Sequence, residues 1–484
     1  MFQDSDYQTQ IDAEISDNVQ NLEIDPYRLD YHLMPPVGLL NDPNGLIKLN
    51  GTYHVFFQWN PFETTHGKKA WGHYTSSDLI NWTLEPAALV PDAWYDKNGC
   101  YSGSAIEHDG KMYLFYTGNV KDDEDRRSTY QCMAVSNDGI HFEKKGPVLH
   151  LPDGYTPHFR DPKVWKTDGQ WLMILGAQNE QGHGEAVIAA SENLVDWDFI
   201  GPIAGSNINN LGDFGYMWEC PDLFELDGRD ILIVCPQGLE ADGDKYHNLF
   251  QAGYFTGAFD SSMYTYSHED FTELDRGFDF YAPQTFIDEA GRRILLAWMG
   301  ITDDDEQDQP TIGRDWIHGL TIPRVLEMKG DRVIQTPAPE LQKLRYERVS
   351  HAVMLNPETS FHAGIEPLSE ISVEFKNDIM DGFELVLRND VKVIYDGQRF
   401  IIERRKFSGE GREQRAFQLE QLANLRIFLD RSSVEIFING GEEVCSSRFF
   451  PEVDERNIEL KAHGAVQCEM NVWNLKENTI DMYG

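Results

Sequence analysis

Apolar and polar positions along this chain repeat one arrangement five times: a polar stretch ends in a Gly turn and opens into a run of apolar and aromatic side chains. The copies are Asn50-Gly51-Thr52-Tyr53-His54-Val55-Phe56-Phe57, Asp109-Gly110-Lys111-Met112-Tyr113-Leu114-Phe115-Tyr116 and Asp168-Gly169-Gln170-Trp171-Leu172-Met173-Ile174-Leu175. Asp227-Gly228-Arg229-Asp230-Ile231-Leu232-Ile233-Val234 and Ala290-Gly291-Arg292-Arg293-Ile294-Leu295-Leu296-Ala297 complete the set. Asx-Gly between apolar runs predicts a tight hairpin, because the turn needs φ > 0 where Gly and Asn are comfortable. The five glycines are 59, 59, 59 and 63 residues apart. Hairpins at a fixed long period imply a repeat of similar sheets. A second phrase keeps the same period: Ser76 to Trp82, Ser136 to Phe142 and Ser191 to Trp197 each end in an aromatic. It reads as the turn between the third and fourth strands of the first three repeats. The pattern predicts an all-β protein built on a five-bladed β-propeller.

Outside the repeats the period changes. Ile11, Ile15, Val19 and Leu22 fall at helical spacing within a lead-in over residues 1–30. The propeller is expected over 31–335 and a proline-marked linker over 336–341. Runs such as Ile371–Phe375, Arg426–Leu429 and Val434–Ile438, the last closed by Asn439-Gly440, alternate with a period of two. They predict a C-terminal β-sandwich over 342–484. This unit reads as a packing module that stiffens the propeller or forms a homodimer contact.

The residues just ahead of each hairpin carry the chemistry. In a propeller the first strand of every blade lines the central channel. Eight or nine residues before the turn glycines stand Asp42, Ser102, Asp161, Glu219 and Ala282. One acid before a proline marks only a turn. Three at matched repeat positions repel one another, and a fold keeps them only for a cation or a chemical task. Two carboxylates across a sugar are the minimum equipment for glycoside hydrolysis. Trp59, Trp71, Tyr101, Trp218 and Tyr281 lie near the same end of the repeats, where aromatics serve either as packing or as sugar platforms.

Asn41-Asp42-Pro43-Asn44-Gly45, Phe159-Arg160-Asp161-Pro162 and Glu219-Cys220-Pro221-Asp222 resemble the three signature motifs of glycoside hydrolase family 32. Phe57 to Pro61, Trp71-Gly72-His73, Tyr101 to Ser104 and Asp430 to Phe437 resemble it as well, with Leu40 departing from the usual aromatic. The resemblance implies a propeller with a sandwich and a retaining mechanism without a cofactor. It implies Asp42 as nucleophile and Glu219 as acid/base with a raised pKa. Asp161 would stabilise the transition state, kept ionised by Arg160. Asn41, Gln58, Trp71, Tyr101, Ser102, Arg160 and Tyr281 would complete the fructose pocket, and Cys220 would tune the acid or serve as a structural thiol. The carboxyl groups of a retaining pair stand about 5–5.5 Å apart.

Composition narrows the setting. Forty-one Lys and Arg against 81 Asp and Glu give a net charge of −40, which offers no electrostatic basis for binding nucleic acid or an anionic membrane. Residues 1–20 show no apolar signal region, and no run approaches a transmembrane span. Six scattered cysteines read as free thiols in a cytoplasmic enzyme, and no His or Cys spacing suggests a metal. The expected partner is a small sugar: sucrose, sucrose 6-phosphate or a short fructan.

Against the acidic loops Lys121-Asp122-Asp123-Glu124-Asp125 and Thr302-Asp303-Asp304-Asp305-Glu306, the cluster His66-Gly67-Lys68-Lys69 stands out as basic. His66, Lys68 and Lys69 are expected to meet a substrate phosphate at the rim. A fructosyl transferase shares every motif. A non-catalytic sugar-binding propeller would need to have lost an acid, and a Ca²⁺ cage is disfavoured by Arg160.

Overall fold

The computed structural model describes residues 4–23, 25–167, 169–303, 305–477 and 479–481, without the side chains of 4–6 and 19–23. Asp168, Asp304 and the side chains of Val19 and Leu22 lie outside the described residues. The lead-in forms helix Asp4–Glu23, with Ile11 fully buried and the Tyr7 ring edge-on to Phe62 at 5.5 Å. Almost all the remaining regular structure is β. Among the described residues no helix is long and apolar enough to cross a membrane.

Five antiparallel sheets, each built on four strands, follow in chain order. Their first strands are Gly38–Leu49, Cys100–His108, Tyr155–Thr167, Met217–Leu226 and Tyr281–Ile287. Each of these packs on the next, and the fifth also packs on the first. The first, second and fourth Gly turns are the tight hairpins the sequence predicts, whereas the fifth is a wider loop, with Ile287 pairing with Arg293 across residues 288–292. Asn50 and Gly51 have φ of 51° and 82°, Asp109 and Gly110 51° and 73°, Asp227 and Gly228 50° and 83°. Both central residues left-handed is the hairpin turn whose twist matches that of the strands. The second phrase is a side-chain-capped turn. Ser76 Oγ accepts from the backbone N–H groups of Asp78 and Leu79, and Asp78 Oδ1 from those of Ile80 and Asn81. Ser136 with Asp138, and Ser191 with Asn193, repeat it. Short strands from distant sequence extend the first sheet at both edges: Trp316–Ile317 pairs with its first strand and Ile480–Asp481 with its fourth.

Beyond strand Arg332–Pro337 and a 3-10 turn at Pro339–Leu344 come two six-stranded antiparallel sheets. They bury one shared core that includes Ile371, Leu385, Phe400, Ile427 and Ile436, all fully buried. A buried polar joint fastens this unit to the five sheets. Arg324 donates to Glu435, Asp275 and Gln335, and His32 bridges Asp430 (2.9 Å) and Glu435 (3.0 Å). The Asp430–Phe437 segment thus contributes to the joint between the two units, where charges this deep need every partner to offset desolvation.

Candidate active site

Each first strand carries a one-residue bulge near its start. The ladder registers jump between Leu40 and Pro43, Tyr101 and Gly103, Arg160 and Lys163, Glu219 and Asp222, and Tyr281 and Gln284. Bulges re-aim side chains and add local twist. Inside three of them Asp161, Cys220 and Ala282 adopt φ of 63°, 49° and 48°, left-handed conformations that cost about 1–3 kcal/mol each for non-glycine residues. The registers also correct the expectation of matched positions. Glu219 is the last paired residue before its bulge, Asp161 the first residue within its own, and Asp42 the second. The bulges, rather than a common offset, bring the three acids together.

Asp42 is held from both sides: Ser102 Oγ donates to Oδ2 at 2.5 Å and Asn41 Nδ2 to Oδ1 at 3.0 Å. Burial raises its pKa, the Ser102 bond opposes this, and the charge of Glu219 adds to it. Glu219 is saturated with donors. Arg160 gives Nε (2.9 Å) and Nη2 (2.7 Å) to Oε1, while Tyr281 Oη and Gln237 Nε2 each approach Oε2 at 2.6 Å. Burial pushes this carboxyl up, but the Arg160 charge and these bonds outweigh it and hold it below its ordinary value. Among the described residues Asp161 accepts from the Cys220 backbone N–H (3.0 Å) and, weakly, from its thiol at 3.6 Å. Burial, with the charges of Glu219 and Asp42, raises it to about 7 against the pull of Arg160. Two expectations are therefore corrected. Arg160 clamps Glu219 rather than Asp161, and Asp161 is the acid pushed toward its neutral form.

The other residues singled out by sequence divide. Ser102, Asn41, Arg160 and Tyr281 touch the acids directly. The Cys220 thiol sits between two of them, 3.8 Å from Asp42 Oδ2. Gln58 is buried, with Nε2 donating to the Cys100 carbonyl, so it ties the first sheet to the second. Trp71 is corrected from pocket wall to core: it is fully buried against Phe56 and Tyr116, and its Nε1 bonds the Tyr101 carbonyl. Tyr101 is half-buried under Arg127. Trp59 and Trp218 are core as well.

The basic cluster does not act as one patch. His66 bonds Glu306 at 2.9 Å and Lys68 is exposed. Lys69 is buried, and its Nζ has no hydrogen-bond partner among the described residues. Burial lowers the Lys69 pKa to about 7 against the nearby charges of Asp42 and Glu306. Sequence reasoning missed Gln237, legible from the hairpin register because it pairs with Met217, and His158, which bonds Arg160 at 2.9 Å. It also missed Glu306 and His318, for which no local signal exists. A small cavity beneath the acids is lined by Pro43, Ser102, Asp161, Lys163, Cys220 and Gln284, among others.

The family model described as glycosyl hydrolases family 32 N-terminal domain matches residues 32–337, and that family's C-terminal model matches residues 340–474. A sucrose-6-phosphate hydrolase of Bacillus subtilis (strain 168) is 52% identical over 456 residues, covering 93% of this chain and 95% of that protein. The solved sucrose-6-phosphate hydrolase of Lactobacillus gasseri superposes with a TM-score of 0.86 at 30% identity, covering 96% of both chains. A Bombyx mori GH32 beta-fructofuranosidase does so with a TM-score of 0.86 at 32% identity, covering 99% of this chain and 100% of that one.

Proposed function

The chain belongs to glycosyl hydrolases family 32, and from that membership and the site we propose that it releases terminal β-D-fructofuranosyl units from sucrose or sucrose 6-phosphate with retention of configuration. We read the five sheets, residues 31–335, as the five blades of a β-propeller. Residues 342–484 are read as a β-sandwich joined through 336–341.

The observation that carries the reading is Asp42, a half-buried carboxylate held by Ser102 and Asn41 and grouped with Glu219 and Asp161. In the first step an Asp42 oxygen bonds the anomeric carbon as the bond to the glucosyl oxygen breaks, and that oxygen takes a proton from Glu219. In the second, Glu219 takes a proton from water, whose oxygen attacks the anomeric carbon and frees Asp42. Glu219 starts ionised, so the bound sugar must shift it: excluding water disfavours its charge. Asp161, raised to about 7, is the neighbour able to hold a proton near neutral pH. Asn41 Oδ1, which has no hydrogen-bond partner among the described residues, and the Asp161 carboxyl would accept fructose hydroxyls.

For the leaving sugar, Lys69 supports a phosphate. A buried ammonium without an acceptor is costly, and a phosphate oxygen would supply one. Lys68 is exposed close by, whereas His66 is already engaged by Glu306. Phosphorylated sugars do not cross membranes unaided, so this reading places the enzyme in the cytoplasm. Asp42→Asn tests the assignment. The variant should release no measurable glucose from sucrose or glucose 6-phosphate from sucrose 6-phosphate, while melting with the wild type. Wild-type turnover would overturn it.

A further inference from the structure

His66 and, about 240 residues further along the chain, Glu306 and His318 of one segment meet at one carboxylate oxygen. His66 Nε2 and His318 Nε2 each lie 2.9 Å from Glu306 Oε1, and the three ligand atoms lie within 4.8 Å of one another. Glu306 and His318 are buried and His66 opens to solvent, so the cluster has an entry side. From it we infer a binding site for a divalent transition-metal ion of the Zn²⁺ class, with those three atoms as ligands.

The donor set suits such an ion. Two imidazole nitrogens and one carboxylate oxygen are ligands that Zn²⁺ takes at about 2.0–2.2 Å in tetrahedral sites, whereas Ca²⁺ and Mg²⁺ favour all-oxygen shells. Bonds of that length around a tetrahedron separate neighbouring ligand atoms by about 3.3 Å. The observed 2.9 Å contacts therefore need to open by only about 0.4 Å. Thr302 Oγ1, 3.3 Å from His66 Nε2, or a water can take the fourth position.

Glu306 suits a cation as well. Its side chain is buried and its Oε1 faces both imidazole nitrogens. The surrounding chain is preset. Asn60 Nδ2 fixes the loop ahead of His66 through the Thr65 carbonyl (2.9 Å), and the ring of Trp298 packs edge-on to both His66 (5.7 Å) and His318 (5.0 Å). Among the described residues His318 Nδ1 lacks the acceptor that a metal-bound imidazole usually has. Micromolar rather than nanomolar affinity is expected for that reason.

The site belongs to the edge of the pocket. Trp298 also packs on Tyr281, which bonds Glu219, and Lys69 lies within electrostatic reach of both Glu306 and Asp42. A bound ion would tie the 61–69 loop to the segment 302–318 that walls the same side.

The test is metal titration of the full-length protein freed of metal by a chelator. Calorimetry with Zn²⁺ should give one ion per chain, and Co²⁺ should develop the strong visible bands of a four-coordinate complex. His66→Ala changes a solvent-facing side chain and should fold normally while weakening Zn²⁺ at least tenfold and abolishing the Co²⁺ bands. Glu306→Gln should do the same. No binding by the wild type overturns the inference, and so does equal binding by wild type and His66→Ala, which would place the ion elsewhere, for instance on the acids and Cys220. Neither result bears on the fructosidase reading.

Discussion

Asp161→Asn separates what the fold tolerates from what the chemistry needs. Burial and the charges of Glu219 and Asp42 raise Asp161 from 3.8 to about 7. The folded state therefore binds its proton more tightly than the unfolded chain does. That contribution to stability is fully present below the unfolded value and is lost as pH rises through 7. The gap of about three pH units corresponds to about 4 kcal/mol, as an order of magnitude. An amide keeps the shape and can still accept the Cys220 N–H, but it does not titrate. For 484 residues the unfolding entropy is about 1 kcal/mol per degree if the chain melts as one unit. Relative to wild type, the variant should thus gain about 4 °C in melting temperature between pH 4 and pH 8. Hydrolysis of sucrose should fall by at least about 100-fold, because the variant cannot present the negative charge that Asp161 offers the oxocarbenium-like transition state once its proton has moved to Glu219. Calorimetric melts of both proteins across that range are the measurement. A melting difference that stays constant with pH, or shrinks as pH rises, would refute the reasoning and place the shared proton elsewhere.

Glu219→Gln should cut sucrose hydrolysis by about 10²–10⁴-fold yet spare much of the first step with an activated aryl fructoside, whose leaving group needs no proton; equal losses on both would remove Glu219 as the donor. Lys69→Met should raise KM for sucrose 6-phosphate about tenfold or more, the cost of a charged hydrogen bond, and leave sucrose nearly unchanged; the same effect on both sugars would end the phosphate reading. Lys68→Ala should show a smaller effect in the same direction, since that residue is exposed and its charge is screened. Arg324→Met removes the buried cation shared by Glu435 and Asp275 and leaves them only His32, hydroxyl and backbone N–H partners, so the protein should lose about 3–5 kcal/mol and melt about 3–5 °C lower. A melting point within a degree of wild type would mean that the joint between the two units carries little of the stability.

What the sequence determined by itself is local. A turn with two left-handed residues needs Asn, Asp or Gly at two adjacent positions, so Asn50-Gly51, Asp109-Gly110 and Asp227-Gly228 announce their hairpins and the repeat period with them. The Ser76, Ser136 and Ser191 turns are legible for the same reason, since each cap is satisfied within a few residues of chain. The three acids were legible because each stands beside a motif tied to such a turn. Their partners were not. Arg160 adjoins Asp161 in sequence yet clamps Glu219, 59 residues away, because the bulges turn consecutive side chains to different neighbours. Lys68 and Lys69 read as one basic pair, but the strand that starts at Ala70 carries one indoors and leaves the other in solvent. The meeting of His66 with Glu306, and the service of Asp430 and Glu435 in the joint, rest on contacts spanning about 240 to 400 residues. No pattern of propensity or periodicity carries such distances, and which charges end up buried together, and so which proton sits where, is decided only when the sheets pack.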